Sequence, residues 1–366
     1  ERGVDGFRLD VFNAYFKDEL FRNNPVKFGL RGFDRQEHIY DINQPELMDF
    51  LSELRSLLDS YPDRYAVGET YITPIDKAVR YAGMDKLHAA FSFDFFGSQI
   101  SYPWSADFIK EKTAHRDSIF DENDVQPTTV FSNHDVPRAA SRTANPWINH
   151  GEDDYQALAA MTLLLTLKGT PFMYYGEEIG MRDIQLGRSE IMDPPGKKYW
   201  PIYKGRDGCR SPMQWNETSL AGFSTQKPWL KIHPNYLLRN VNTQSNEPDS
   251  IYNFTRKLIS LRREKEALRR GSYRSFYRSD TGILAFERRI DLQGKMQRIV
   301  IYLNFTGSTK TAGFVRDADP KNAHILLSSV KRKEFYTSYN QFLLNPHEIL
   351  ILEIETESGQ EQFLPA

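Results

Sequence analysis

The chain is almost without cysteine. Cys209 is the single thiol in 366 residues, which excludes an internal disulfide and any metal centre built on several cysteines. A reducing compartment, the cytoplasm, is therefore the expected location. No apolar run approaches the length of a membrane-spanning helix, so none is expected. Positive charge is not in excess either: 47 Lys and Arg stand against 49 Asp and Glu, for a formal net charge of −2. Such a balance offers no field to nucleic acid or to an anionic membrane surface. Low-complexity tracts, solenoid repeats and a signal peptide are also lacking. The opening residues ERGVDGFRLD read as the middle of a domain, so the chain is expected to be a fragment of a longer polypeptide.

Aromatic residues, by contrast, are plentiful, with 24 Phe, 19 Tyr and 5 Trp. They suit a large core and equally suit flat platforms for sugar rings. Strand patterns at 4–10, 64–69, 86–95, 127–135 and 170–175 alternate with helical patterns at 45–61, from Pro74, at 104–113 and at 153–167. This alternation predicts a parallel sheet with crossover helices. Five strands are present where a (β/α)8 barrel has eight. The expected fold is thus α/β, the C-terminal part of a TIM barrel (strands 4–8) over residues 1–268, with a long Gly- and Pro-rich loop at 176–249 and a helix at 250–263. After about Ser272, apolar and polar residues alternate at 283–289, 298–305, 324–329 and 348–355 with no helix between. That predicts an antiparallel all-β sandwich domain over 269–366.

Three acids stand at the C-terminal ends of predicted parallel strands: Asp10 in GFRLD, Glu69 in AVGET and Asp135 in FSNHD. Barrel active sites lie at that edge. A lone acid there is as often a helix cap; three in succession, each followed by a loop, suit glycoside cleavage. That chemistry needs one carboxylate to attack and one carboxylic acid to protonate the leaving oxygen. Arg8, on the strand face of Asp10, can hold it ionised. Neighbouring carboxylates would push Glu69 towards its protonated form. Asp135 and His134 can hydrogen-bond sugar hydroxyls.

At these residues the sequence closely resembles glycoside hydrolase family thirteen, the α-amylase family, and within it the exo-acting α-glucosidases of oligo-1,6-glucosidase type. GFRLD is similar to the nucleophile motif, VGE to the acid motif and FSNHD to the third motif. The resemblance implies nucleophile for Asp10 with Arg8 as partner, general acid/base for Glu69, transition-state stabiliser for Asp135 and hydroxyl contact for His134. NHDVPR resembles NHDxxR and implies a place near the substrate for Arg138. GRDGCRSPMQW resembles RDxxRxPMQW, which implies a sugar contact for Arg206 and, with less weight, for Arg210. GTPFMYYGEEIGM resembles the eighth strand and its following loop, making one of Glu177 and Glu178 a structural anchor. The implied reaction is release of terminal α-linked glucose from short oligosaccharides with retention, through a covalent glucosyl-enzyme.

The family's first motif, with its Asp, Asn and His, is absent from this chain. Its calcium ligands lie mostly in that same absent part, so no metal or other cofactor is expected here. The expected partners are an α-linked gluco-oligosaccharide and the N-terminal barrel segment. Val11, beside the nucleophile, leans towards α-1,6 linkages. A glucosyltransferase or sucrose isomerase would share every catalytic residue, and a silent fragment or binding protein would share the fold. Cys209 reads as a small filler. The sequons at Asn253 and Asn304 read as chance occurrences.

Overall fold

All five strands expected of the α/β part form, and all are short. They are β1 (Gly6–Leu9), β2 (Tyr65–Gly68), β3 (Ala89–Ala90), β4 (Thr128–Val130) and β5 (Thr170–Phe172). The computed structural model describes residues 3–70, 74–95, 105–142, 154–276, 281–315, 318–332 and 340–355. Trp104 and Asp153, the expected first residues of two helices, lie outside these. A closed barrel is not seen among the described residues. Instead β1, β2 and β3 make a small parallel sheet in that order, with β1 at its edge. Arg8 pairs with Val67 and Leu9 with Gly68. This register brings Asp10 and Glu69 to the same level, one residue past the paired segment. The Glu69 N–H extends the ladder by donating to the Leu9 carbonyl at 2.9 Å.

The described chain divides into two compact units, Glu1–Asp94 with Ala114–Val130, and Phe95–Thr113 with Phe131–Ala366. In the first unit, helix α1 (Glu46–Asp59) buries Leu47, Leu51 and Leu58, and carries Glu46 and Asp49 in its first turn, where they complement the helix dipole. Its apolar stripe packs with Leu9, Phe12, Ala66 and Leu87 into one core. Leu57, which fits the helical spacing, faces solvent instead.

In the second unit, helix α2 (Asp154–Thr166) is buried on nearly every side, through Ala157, Ala159, Ala160, Met161, Leu163, Leu164 and Leu165. Helix α3 (Ile251–Glu264) is capped by Ser250, whose Oγ accepts the Asn253 N–H at 3.2 Å. The C-terminal strands are β6 (Ser272–Ser275), β7 (Ile283–Leu292), β8 (Lys295–Asn304), β9 (Lys310–Gly313), β10 (Ala323–Ser328), β11 (Gln341–Leu344) and β12 (Ile349–Ile354). Five of them form an antiparallel sheet, β10-β12-β8-β7-β6, and β9 pairs with β11 in a separate ribbon. β7 and β8 join through Gln293 and Gly294, both at positive φ, the backbone that a two-residue hairpin turn demands.

The expected in–out alternation gives way in the middle of this sheet. Ile283, Leu284, Ala285 and Phe286 are all buried, as are Ile299 through Leu303. The two-residue period still sorts them. Leu284, Phe286, Ile299, Ile301 and Ile351 join a core with Leu163, Leu164, Leu258 and Leu261 of the helices. Ile283, Ala285, Val300, Tyr302 and Leu350 join a second core with Ala312, Phe342 and Leu344 of the ribbon. The sheet is therefore the middle of three layers. One face makes the expected sandwich and the other carries helices, so both faces read as apolar. Arg288 is buried there too. It is tolerated because Nη1 donates to the Thr166 carbonyl at 2.6 Å and Nη2 to the Gly271 carbonyl at 2.7 Å. Neither sequon offers its amide: Asn253 Nδ2 donates to Gln244 and Glu247 carbonyls, and the buried Asn304 donates to Ser308 and Asn345 carbonyls.

Candidate active site

In the first unit, one guanidinium holds two of the expected carboxylates. Arg8 Nη1 donates to Asp10 Oδ1 at 2.6 Å, and Nη2 donates to Glu69 Oε2 at 2.5 Å. Arg8 was expected beside Asp10 alone; the parallel register makes it common to both acids. Burial lowers the Arg8 pKa, but the Asp10 hydrogen bond and the charges of Glu69 and Asp10 outweigh that and raise it. The two acids differ in access. The Asp10 side chain is 72% exposed, open to an incoming group, whereas that of Glu69 is 6% exposed and enclosed.

The turn after Asp10 is strained. Val11, a β-branched residue, sits at φ 41° and ψ 41°, in the left-handed region, a conformation that costs about 1–3 kcal/mol. It swings the chain out of β1 into a 3-10 turn at Phe12–Ala14 and drives the Phe12 ring into the core. That ring lies against Gly68. A Cβ at Gly68 would collide with it and with Leu87, so the residue before Glu69 has to be glycine.

In the second unit, Asn133 Oδ1 accepts the N–H groups of Asp135 at 2.8 Å and Val136 at 3.0 Å, fixing the turn that presents Asp135. Asp135 Oδ1 accepts from Arg210 Nη2 at 2.9 Å and from Arg206 Nη1 at 3.2 Å. Arg210, the less weighted of the two in the sequence, makes the shorter bond, and its Nε also donates to the His134 carbonyl at 2.7 Å. The His134 ring is about half exposed, with Nε2 at 3.4 Å from Asp135 Oδ2. Arg206 is clamped by the buried Asp193, which accepts Nη2 at 2.7 Å and the Arg206 N–H at 3.0 Å. Burial pushes the Asp193 carboxyl up, but its bonds to Arg206 outweigh this and hold it below the usual range. Asp207 Oδ2 in turn accepts the N–H groups of Met192 and Asp193. Asp193 was not foreseen, since it sits in a stretch with no periodicity. Asp207 lies within GRDGCRSPMQW, where its acidity beside Arg206 was the available signal.

Arg138, expected near the substrate, is fully buried. Its Nη1 donates to the Tyr175 carbonyl and its Nη2 to the Cys209 carbonyl at 3.0 Å, while the guanidinium lies over the Tyr174 and Tyr175 rings. Its backbone N–H donates to Asp183 Oδ1 at 3.0 Å. It ties the loop of Asp135 to the segment after β5. Cys209 is buried, and burial pushes its thiol up to about 12, so it stays un-ionised near neutrality.

Glu177 is the expected anchor. It is buried, with Oε1 accepting from Ser132 Oγ and Oε2 accepting the Tyr174 N–H at 2.8 Å. Burial pushes its carboxyl up to about 7, against the opposing hydrogen bonds and the charges of Arg138 and Arg142. A carboxyl raised on folding favours the folded state below its unfolded pKa, and that contribution is lost as pH rises through the folded value. Glu177→Gln is therefore expected to flatten the pH dependence of stability between about 4.5 and 7, by on the order of 2 kcal/mol. Parallel thermal melts of both proteins across that range check it; curves that stay parallel would remove Glu177 as the titrating group.

Among the described residues no group of three or more His, Cys, Asp or Glu is placed to hold a metal ion, and no helix is long and apolar enough to cross a membrane. Comparison with known proteins gives consistent matches. A probable alpha-glucosidase of Rhizobium meliloti (strain 1021) is 35% identical over 302 residues, covering 79% of this chain and 53% of its own length. The oligo-1,6-glucosidase of Bacillus cereus is 28% identical and covers 97% of this chain and 66% of its own. Among solved structures, the alpha-glucosyl transfer enzyme XgtA superposes with a TM-score of 0.81 at 28% identity, over 97% of this chain and 64% of that one. The chain thus spans between half and two thirds of the length of these relatives. The family model for the alpha-amylase catalytic domain, a TIM-barrel fold, matches residues 1–271. On that match, the chain belongs to the alpha-amylase family of glycoside hydrolases.

Proposed function

We propose that this chain carries the catalytic half of a retaining α-glucosidase that releases terminal α-linked glucose from short oligosaccharides. The observation that carries the reading is the fork of Arg8, which holds Asp10 and Glu69 together at the ends of adjacent parallel strands. Two carboxyl groups on one fork suit a retaining pair, about 5–5.5 Å apart, better than an inverting pair spaced for a water between them. Asp10 Oδ attacks the anomeric carbon as Glu69 gives its proton to the departing glycosidic oxygen. Glu69 then takes a proton from water, which displaces Asp10 and restores the starting configuration. Asp135, held by Arg206 and Arg210, accepts hydrogen bonds from sugar hydroxyls and stabilises the positive charge that develops on the ring. His134, half exposed beside it, contacts a hydroxyl. Arg138 acts from below, by positioning that loop.

The same reading takes β1–β5 as strands 4–8 of the barrel, within a catalytic domain over 1–268 and a β domain over 269–366, in a cytoplasmic protein. The edge position of β1 and the half-exposed Phe7 on it support an additional barrel segment as its neighbour. Transfer to a second sugar is the alternative outcome of the same intermediate, and the assay has to separate it from hydrolysis. Assay of the full-length polypeptide on maltose, isomaltose, sucrose and an aryl α-glucoside tests the proposal. The expected result is initial release of α-glucose, with sugar–sugar transfer products minor. Initial β-glucose would overturn retention, and transfer products dominating at moderate substrate would overturn hydrolysis.

A further inference from the structure

Within the second unit, the turn after β5 is built rigidly and ends on a carboxylate that has no place in the chemistry so far. Gly176 and Gly180 both sit at positive φ and bracket the 3-10 turn at Glu177–Ile179. Neither has room for a side chain: a Cβ at Gly180 would come within 2.6 Å of Ile251 Cδ1, and one at Gly176 would run into Met181. Ile179 and Met181 are buried in a small apolar cluster with Met213. Asp183, half-buried, follows at the end of this fixed run. Its Oδ1 accepts the Arg138 N–H at 3.0 Å, and its own N–H donates to Ser141 Oγ at 2.7 Å. Glu177 holds the other end of the same loop by accepting from Ser132 Oγ, which in turn accepts the Ala139 N–H at 2.9 Å. One turn thus grips residues 132–141 at both ends, with His134 and Asp135 between the grips.

The next residue reaches a second segment. The Ile184 N–H donates to the Gly208 carbonyl at 3.0 Å, and Gly208 packs so closely that a Cβ on it would lie 3.5 Å from Asp183 Cβ. Gly208 stands between Arg206 and Arg210, whose guanidinium groups both hold Asp135 Oδ1. The dipeptide Asp183–Ile184 therefore registers the loop that carries Asp135 against the segment that carries its two cations. Burial pushes the Asp183 carboxyl up to about 6, against the Arg138 N–H and the charges of Arg138 and Arg142. What the local geometry asks of this side chain is an oxygen acceptor at a fixed place, so that the Arg138 N–H is not left buried and unmet. We propose that Asp183 is a positioning residue for Asp135, which sets that carboxylate between Arg206 and Arg210 through the Arg138 backbone and acts on no substrate atom itself. The proposal rests on the reading of Asp135 as the stabiliser of the developing charge. Such a role is consequential, because a catalytic group misplaced by about 1 Å costs about a hundredfold in rate.

The test is a double-mutant cycle between Asp183 and Asp135 in the full-length polypeptide, read as kcat/KM on an aryl α-glucoside. Asp183→Ala is expected to lower it about a hundredfold. Asp183→Asn keeps an oxygen for the Arg138 N–H and should stay within about fivefold of the parent. In the Asp135→Asn background, Asp183→Ala should cost less than about threefold more, since the carboxylate it positions is already gone. A residue that merely supported the fold would cost the same in both backgrounds. Ser141→Ala, which removes the acceptor of the Asp183 N–H, should lose about fivefold in the parent and nothing further beside Asp135→Asn; it carries the test if Asp183→Ala melts early. Equal losses in the two backgrounds, or an Asn variant as poor as the Ala variant, would overturn the proposal. Asp135-dependent cleavage with Asp183→Ala and Ser141→Ala both within about twofold of the parent discards Asp183 alone. An Asp135→Asn variant as active as the parent overturns the reading of Asp135, and the role of Asp183 falls with it.

Discussion

Asp10→Asn in the full-length polypeptide should lower turnover of an aryl α-glucoside by about four powers of ten while leaving the fold in place. An amide oxygen is a far weaker nucleophile than a carboxylate, and it would form no stable ester with the anomeric carbon. The structural cost is small for two reasons. The side chain is 72% exposed, so little packing depends on it. Asn also keeps an oxygen in reach of Arg8 Nη1, so the hydrogen bond survives while the ion pair is lost. A surface ion pair of this kind contributes at most about 1 kcal/mol, which thermal melts will register as a shift of a few degrees. The informative measurement is single-turnover kinetics: the parent should accumulate a glucosyl-enzyme and the variant should not. A variant that turns over at the parent rate would take the nucleophile role away from Asp10.

Glu69→Gln should have an effect that depends on what is leaving. Protonation by a placed acid contributes about 10²–10⁴ in rate. A sugar alkoxide needs that proton and a nitrophenolate does not. Cleavage of maltose or isomaltose should therefore fall by about a thousandfold. With an activated aryl glucoside the first step should survive, and the second, which needs Glu69 as base, should become limiting. The visible signature is a burst of phenolate followed by slow release of glucose. Glu69 is buried and bonded to Arg8 at 2.5 Å, and the glutamine amide can present its oxygen to the same nitrogen, so the variant keeps the local geometry. Equal losses on both substrate types, with no burst, would remove Glu69 from the acid role.

Much of this site was readable in the sequence because its parts are local. GFRLD and AVGET each place a strand and the acid that follows it within a few residues, with Asp10 and Glu69 directly past β1 and β2, whereas β4 stops at Val130 and FSNHD forms the turn after it, which puts Asp135 five residues past the strand. The apolar periodicity of α1 and α3 was equally plain. What was not legible depends on partners far away in sequence. Arg8 stands 61 residues from Glu69, and only the pairing of β1 with β2 shows that one guanidinium serves two acids. Arg138 belongs to a motif that suggests a sugar contact, but identity says nothing of burial, and its carbonyl partners are Tyr175 and Cys209. Asp193, the clamp on Arg206, lies in a segment without periodicity. The middle strands of the β domain were read as half-exposed because alternation is clear at their ends; the helices packed on the second face come from earlier in the chain.

The shared fork of Arg8 has a consequence for the whole reaction cycle. In the proposed first step Asp10 becomes a neutral ester just as Glu69 surrenders its proton and turns anionic. In the second step the two changes run backwards. A single cation touching both acids thus sees the same total negative charge throughout, merely displaced from one of its nitrogens to the other. The double displacement becomes electroneutral at the level of this triad, and neither half-reaction has to summon a counter-ion or reorganise bulk water to proceed.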